Sequence, residues 1–386
     1  MVLQTSSSKK RINLGLEEIG ISGMKFLSNK SIIQHIAPWV LVVTLLLGIV
    51  PSLSAAGAPS DGPFNAGKFV IDHVSDAYEW HITGFGDTYV SAPLPILLYS
   101  KHSGFHAFWS SRFHHGRDSY RGFVIAQEGQ YEGKIVEMDA NGAFLNRPYD
   151  FSITKTVAGM FVGAIVVMMI FLSLARSAKK NATAAPTGLY NLVEPVILFI
   201  RDEVALPAIG KKHLDRFMPF LLTLFFFILI NNLLGLIPIF PFGANVTGNI
   251  SITMVLALFT FFVTNLNGNK HYWKEIFNPD VPWWMKFPIP LMPFVEFSGM
   301  FTKPFVLMIR LFANMLAGHL IVTVFISLIF IFSSMIGPIA GYGVSPISVG
   351  FAMFIILLDV LVSFIQAYVF TFLSALYFGM ATAEHH

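Results

Sequence analysis

Arg310 is a permanently charged side chain inside a long apolar run, KPFVLMIRLFANMLAGHLIVTVFISLIFIF. Holding a guanidinium near the centre of a bilayer costs roughly 2.5–3.5 kcal/mol even on the lenient insertion scale. Only Lys303 precedes it nearby and many apolar residues follow, so the charge cannot extend to a lipid headgroup. Such a cation usually faces a polar partner or an ion path. The alternative is an arginine that pairs with a neighbouring helix purely for assembly.

Other deep polar side chains lie on the same apolar segment as Arg310, namely Glu296, Lys303, Asn314 and His319. At about 100° per residue, Lys303 and Asn314 fall within about 40° of the helix face of Arg310. His319 lies about 13 Å further along the axis and roughly half a turn round. The segment therefore predicts one polar face near the arginine and a histidine displaced from it.

The last apolar segment carries Asp359 and Gln366, which share a helix face about 10 Å apart. A short loop joins the two segments, so their helices must run antiparallel. If Gln366 lies level with Arg310, then His319 and Asp359 are displaced to the same side by similar amounts. Histidine titrates near neutrality and a nearby carboxylate can relay a proton, so the pair predicts a proton path. For His319 alone, a packed ring bonded to a backbone carbonyl remains an alternative.

The composition identifies a polytopic membrane protein, because 54% of the 386 residues are hydrophobic and only 12% are charged. The net charge of +3 is small and the basic residues lie at the ends of spans, which argues against a nucleic-acid partner. The chain has no cysteine, which excludes disulfides, thiol catalysis and thiolate metal sites. The sequence contains neither a phosphate-binding loop nor a nucleophile elbow, so we do not expect catalysis by this chain alone. We also expect neither a cofactor nor a metal.

The first 150 residues divide into two parts. Residues 1–57 have a basic lead, an apolar core and small residues near Ala56, which predicts a cleaved signal peptide; a retained first span is the alternative. Residues 58–150 are polar, with strand-like runs such as RGFVIA and GKIVEM, and predict a small, partly β extracytoplasmic segment. Six histidines without a tight ligand spacing are interpreted as surface residues rather than a metal or pH-sensing site: His73, His81, His102, His106, His114 and His115.

Residues 151–386 predict an all-α membrane domain of about five transmembrane helices and one interfacial helix, LYNLVEPVILFIRDEVALPAIG. The expected spans are about 153–175, 217–240, 250–267, 288–336 and 346–380. The last two are too long for a hydrocarbon core of about 30 Å unless they tilt strongly or kink. Lysine and arginine collect at 176–180, 211–216 and 270–286, so these loops and the C-terminus are predicted to be cytoplasmic and the mature N-terminus outside.

Several motifs carry a resemblance to a known family. RLFANMLAGH, which begins at Arg310, resembles the signature of the a subunit of F-type ATP synthases, and QAYVFTFLSALYFGMATAEHH resembles its C-terminal helix. LARSAKKNATAAPTG and FFFILINNLLGLIP are similar to further family segments. The resemblance covers residues 151–386, whereas 60–150 looks like the enlarged extracytoplasmic N-terminus of some bacterial members.

The resemblance implies a stator in a bacterial inner membrane, beside a ring of c subunits and held by the b subunits of the peripheral stalk in the F1Fo complex. It implies that Arg310, with Gln366 and Asn314 near it, attracts the ring carboxylate and separates two proton half-channels. It places His319 and Asp359 on the outer half-channel, in the order of mitochondrial relatives rather than the commonest bacterial one. By the same resemblance, Asn231 and Asn232 belong to that outer path, and Glu296 and Lys303 belong to the inner half-channel.

Two other classes of function stay open at the level of sequence. One is a secondary transporter that binds a small anion at Arg310, although no internal repeat pairs the two halves of the chain. The other is a membrane-anchored binding protein whose work is done by residues 58–150, which leaves the buried charged groups unexplained. Copurification with a c-ring and a peripheral stalk discriminates the stator from both.

Overall fold

The computed structural model describes residues 67, 75–85, 88–114, 116, 118–127, 129–139, 144–180, 189–237, 241–278 and 291–383. The segment interpreted as a signal peptide, residues 1–57, lies outside the described residues, as do His73, His115 and the last three residues of the chain.

The N-terminal segment is built from short antiparallel strands, which confirms its predicted β character. The strands are β1 (Glu79–Phe85), β2 (Thr88–Pro93), β3 (Pro95–Ser100), β4 (Gly104–Trp109), β5 (Phe123–Ile125), β6 (Ile135–Met138), β7 (Phe144–Asn146) and β8 (Tyr149–Asp150). They form three sheets, with the orders β1-β2, β4-β3-β8 and β5-β6-β7. The two strand-like runs noted in the sequence correspond to β5 and β6, which pair with each other.

The core of this segment lies between the second and third sheets. Ile96 and Leu98 on β3, with Phe113, Phe123 and Ile135, have side chains that are essentially inaccessible to solvent. Alternate residues of a strand point to opposite faces, so positions 96 and 98 are buried together while 97 and 99 face away.

Two buried polar contacts reinforce this core. The Ser100 hydroxyl donates to the Glu137 carboxylate at 2.6 Å and so joins the two sheets. The Tyr78 hydroxyl donates to Asp150 on β8. Burial, together with the hydrogen bond and the charge of Asp150, raises the pKa of Tyr78 above its ordinary value.

The described residues that follow the β segment are mostly helical. The helices are α1 (Lys155–Lys180), α2 (Leu189–Phe199), α3 (Leu206–Ile209), α4 (Lys211–Gly235), α5 (Ile250–Leu266), α6 (Lys270–Phe277), α7 (Leu291–Ile336) and α8 (Pro338–Thr382). A π-helical segment, Ile200–Ala205, joins α2 to α3, and together they occupy the segment predicted to lie at the membrane interface.

Among the residues that the structure describes, four helices are long and apolar enough to cross a membrane: α1, α4, α7 and α8. Helices α5 and α6 form a bent pair, with an angle of 106° between them, and count as a fifth span if taken together. The predicted class, a helical membrane protein of about five spans with two long C-terminal helices, is therefore confirmed.

Helices α7 and α8 contain 46 and 45 residues and meet at a single residue, Gly337. Gly337 has a φ of +119°, a backbone conformation that side chains rarely permit. Helix α8 begins at Pro338, earlier than the sequence predicted, because proline fits the first turn of a helix and glycine lets the chain reverse before it. Gly341 then packs closely on Ser333, where a Cβ atom would come within 2.8 Å.

Each end of the bundle is fixed by hydrogen bonds between segments that are distant in sequence. At one end the carbonyl of Ala77 and the carboxylate of Asp76 accept from the backbone amides of Lys155 and Thr156, at 2.8 and 3.0 Å. These bonds satisfy donors in the first turn of α1 that have no partner within the helix. At the other end the backbone amide of Asn269 donates to the carbonyl of Ala381 in α8 at 2.9 Å.

Candidate functional site

Asp359 on α8 packs directly on the backbone of α7. A Cβ atom built on Gly318 would lie 2.5 Å from both carboxylate oxygens of Asp359, so the missing side chain leaves the space that the carboxylate fills. Asp359 is only 9% exposed, and its Oδ2 atom accepts no hydrogen bond from the described residues. A carboxyl group in this setting requires a proton, a water or another ligand.

His319 directly follows Gly318 and lies against a different helix. Its Nε2 atom is 3.7 Å from the Cβ position of Gly235, at the end of α4. The carbonyl oxygen of Ala244, in the connection between α4 and α5, is 3.1 Å from the same position. Two adjacent residues of α7 thus make these contacts: Gly318 contacts Asp359 of α8, and His319 contacts Gly235 of α4.

Asn231 and Asn232 lie just before Gly235 on α4 and are both 1% exposed. Asn231 donates to the backbone carbonyl of Phe227 at 2.8 Å and packs on Gly163 of α1, where a Cβ would be 2.7 Å from its Cγ. Asn232 accepts a 2.5 Å hydrogen bond from the Thr247 hydroxyl. Within the described part of the chain, Asn231 Oδ1 and Asn232 Nδ2 have no partner.

Residues 241–249, called here the α4–α5 loop, hold this region together. The Asn245 side-chain amide donates to the carbonyl of Met315 on α7 at 3.3 Å, and its oxygen accepts from the Gly248 amide at 2.9 Å. Trp80 of β1 is 5% exposed and packs in a small cluster with Ala244 and Val246. Sequence reasoning missed Thr247, Asn245 and Trp80, because loop residues carry no periodic signal.

Arg310 lies eight residues before Gly318 on α7. Helices α7 and α8 run antiparallel and Gly318 faces Asp359, so counting eight residues along each helix places Arg310 level with Ala367, next to Gln366. Arg310 lies about 12 Å from Gly318 along the helix axis. The Gln366 side chain is 7% exposed, whereas Arg310 is half-buried. No hydrogen bond or ion pair to Arg310 occurs among the residues that the structure describes.

The face of α7 next to Arg310 points away from the rest of the chain. Ala313, Asn314 and Ala317 are exposed, whereas Leu311 and Met315 on the opposite side are buried in the core. The surface beside the arginine is therefore formed by two small side chains and one amide, which permits close approach by another helix.

Glu296 and Lys303 lie on the far side of Arg310 from His319. Glu296 is half-buried, about 21 Å before Arg310 along α7. The Lys303 side chain is exposed, and its ammonium group is 5.7 Å from the centre of the Tyr377 ring on α8. Glu296 and Lys303 are not joined by an ion pair in the part of the chain described here.

The structure brings four buried polar residues, Asn231, Asn232, Thr247 and Asp359, and the half-buried His319 to one region, hereafter the polar cluster. Carboxylate, imidazole and amide groups that lie together in this way can hold water and pass protons. Among the described residues, no three His, Asp or Glu side chains are grouped closely enough to hold a metal ion.

Comparisons with known proteins give consistent results. Residues 157–379 match a family model described as ATP synthase A chain, and residues 69–151 match one described as a domain of unknown function (DUF8433). An ATP synthase subunit a from Chloroherpeton thalassium is 44% identical over 242 residues, which cover 61% of this chain and 68% of the relative. One from Anaeromyxobacter is 35% identical over 338 residues, 86% of this chain and 74% of the relative. One from Myxococcus xanthus is 42% identical over 243 residues, 61% and 75% of the two chains.

Proposed function

The chain belongs to the ATP synthase subunit a family, and from that premise we propose that it forms two proton half-channels beside a ring of c subunits. In this role it is the stator of the Fo sector, held by the b subunits of the peripheral stalk, and couples proton flow to rotation. It does not catalyse a reaction alone. The observation that carries the proposal is the position of Arg310. Its side chain is half-buried, has no ion pair among the described residues, and lies beside an exposed helix face of small side chains and one amide.

A charged group in that position needs a polar partner, because an unpaired guanidinium facing lipid is costly. A carboxylate presented by another chain fits the surface made by Ala313, Asn314 and Ala317, where small side chains permit close approach. Arginine suits the task because it stays protonated at any accessible pH and so attracts a carboxylate without carrying the proton itself.

The polar cluster and Glu296 lie on opposite sides of Arg310 along α7. We assign the cluster to the outer half-channel and Glu296, with Lys303 near it, to the inner one. The two paths then reach the rotor at different depths, and the arginine prevents protons from passing directly between them.

The basic residues at one end of the bundle support an orientation in the membrane. The Asn269 end of the bundle carries Lys270 and Lys274 and is bonded to the C-terminal end of α8. Basic residues favour the cytoplasmic side, so this end is cytoplasmic and the N-terminal β segment is periplasmic in a bacterial inner membrane.

The test is ATP-driven proton pumping in inverted membrane vesicles that carry Arg310→Ala. We expect an assembled complex, verified by copurification of the c-ring and stalk, in which pumping is abolished. Arg201→Ala is the matched control, since Arg201 is exposed and bonded to the adjacent Asp202 at 2.8 Å. Normal pumping by the Arg310→Ala complex would overturn the proposal.

A further inference from the structure

The β4-β3-β8 sheet is apolar on both faces. One face covers the core through Ile96 and Leu98. Its other face carries large side chains that are 48 to 67% exposed, namely Tyr99, Phe105, Trp109, Tyr149 and Phe151. An antiparallel sheet with one solvated face normally alternates apolar and polar residues, and this one does not. We call these five side chains the aromatic face.

The strand pairing makes the aromatic face continuous. Tyr99 is directly opposite Phe105 on β4 and Tyr149 on β8, so the three rings lie in one row. Pro95 is opposite Trp109, and the amide of Phe151 donates to the carbonyl of Leu97 at 2.9 Å. A contiguous exposed apolar surface of this kind marks an interaction site rather than a solvated surface.

The position of the sheet identifies what covers it. The β8 strand continues along β3 and enters α1 at Lys155, only four residues after Phe151. Four extended residues span at most about 14 Å. Helix α1 is a membrane span, so the aromatic face lies within the depth of the headgroup region at the point where the chain enters the bilayer.

The chemistry of the face agrees with this location. Tyrosine and tryptophan are the side chains enriched at membrane interfaces, because their rings are apolar and their polar atoms remain hydrated. The Lys101 ammonium lies 5.9 Å from the centre of the Tyr149 ring, at the edge of the face, where it can meet a lipid phosphate. The one carboxylate on β8, Asp150, faces the core and is bonded to Tyr78.

We propose that the aromatic face docks on the bilayer and seats the N-terminal segment in the lipid headgroup layer. The occupant is a lipid surface, not a second copy of the chain or another subunit. The inference needs only that α1 spans a membrane, and it does not depend on the proposed proton path.

The absence of cysteine in the sequence permits a direct test with one spin label at a time on the full chain. Ala107→Cys places the label at the centre of the aromatic face, opposite Leu97, and Gln130→Cys places it on an exposed turn as the matched control. The protein is reconstituted in vesicles of phosphatidylethanolamine and phosphatidylglycerol. Collision rates are measured with oxygen, which concentrates in lipid, and with a water-soluble nickel chelate.

We expect the label at position 107 to collide preferentially with oxygen, with an oxygen-to-nickel ratio several-fold above that at position 130. Adding Phe105→Ser and Tyr149→Ser to the Ala107→Cys chain should lower the ratio toward the control. A ratio at 107 equal to that at 130 would overturn the proposal. So would a label shielded from both reagents, or one dipolar-coupled to a second label, because either means that protein covers the face.

Discussion

Gly318→Ala tests whether the position of the Asp359 carboxylate matters to proton flow. The added methyl group would lie 2.5 Å from both carboxylate oxygens, whereas ordinary contacts of a Cβ atom begin at 3.4 Å. The carboxylate must therefore move by roughly 1 Å, since the backbone of α7 is fixed between α4 and α8. Overpacking of this kind costs about 1–3 kcal/mol, and the low end is expected because Asp359 can rotate about two side-chain bonds.

The functional effect should exceed the effect on stability. Proton transfer needs donor and acceptor within hydrogen-bond reach, and a 1 Å displacement at a reacting group can cost roughly a hundredfold in rate. We expect ATP-driven pumping to fall about tenfold or more in a complex that still assembles.

Gly299→Ala provides the matched control on the same helix, because no atom of the described residues lies within 4 Å of a Cβ atom at that position. It should leave both pumping and thermal stability close to those of the parent chain. Equal pumping by the Gly318→Ala and Gly299→Ala complexes would refute the reasoning, since it would mean that the contact with Asp359 does not affect the proton path.

Three further predictions concern contacts outside Gly318. Thr247→Val removes the buried donor to an asparagine and should lower the free energy of unfolding in detergent by about 1–3 kcal/mol; Thr302→Val, on an exposed helix face, should change it by less than about 0.5 kcal/mol. Folding raises the pKa of Tyr78 above its ordinary value of 10.0. The neutral hydroxyl therefore makes its full contribution to the free energy of unfolding below pH 10, and that contribution is lost as the pH rises further. The unfolding free energy of the parent chain relative to Tyr78→Phe should therefore fall above pH 10, and a constant difference would contradict the assignment. Trp80→Ala removes the ring that packs on Ala244 and Val246 and leaves a cavity there. It should accelerate amide hydrogen exchange in the α4–α5 loop and leave the exchange of α8 unchanged.

Much of the fold followed from the sequence because apolar length is a strong signal. The predicted family membership and the predicted helical class are confirmed by the ATP synthase A chain match and by the long helices. The boundary between α7 and α8 was less well predicted, since glycine and proline mark a turn but do not say how many residues it needs. The observed turn is Gly337 alone, and Pro346 lies within α8.

The residues of the site were accessible from the sequence, but their contacts were not. Helical periodicity identifies faces and spacings along one helix, whereas the pairing of Arg310 with Gln366 was assumed and is implied by the family resemblance. It does not predict which backbone lies beneath Asp359, nor that the Thr247 hydroxyl reaches Asn232 across fifteen residues of chain. Those contacts depend on how five elements pack together, and their proposed roles rest on the experiments described above.

Glycine positions give the clearest physical account of how the polar cluster is accommodated. Three helices each present a glycine to this region: Gly163 packs on Asn231, Gly318 on Asp359, and Gly235 on the carbonyl of Ala244, with His319 Nε2 at an ordinary contact distance. Small residues let helices in a membrane approach closely, and here they also let a polar group reach the neighbouring backbone without a cavity. Gly299 on α7 and Gly350 on α8, by contrast, have no atom of the described residues within 4 Å of a Cβ position. Replacement by a larger residue should therefore be harmful at the first three glycines and tolerated at Gly299 and Gly350. That difference distinguishes close packing around the polar cluster from a general preference for glycine in membrane helices.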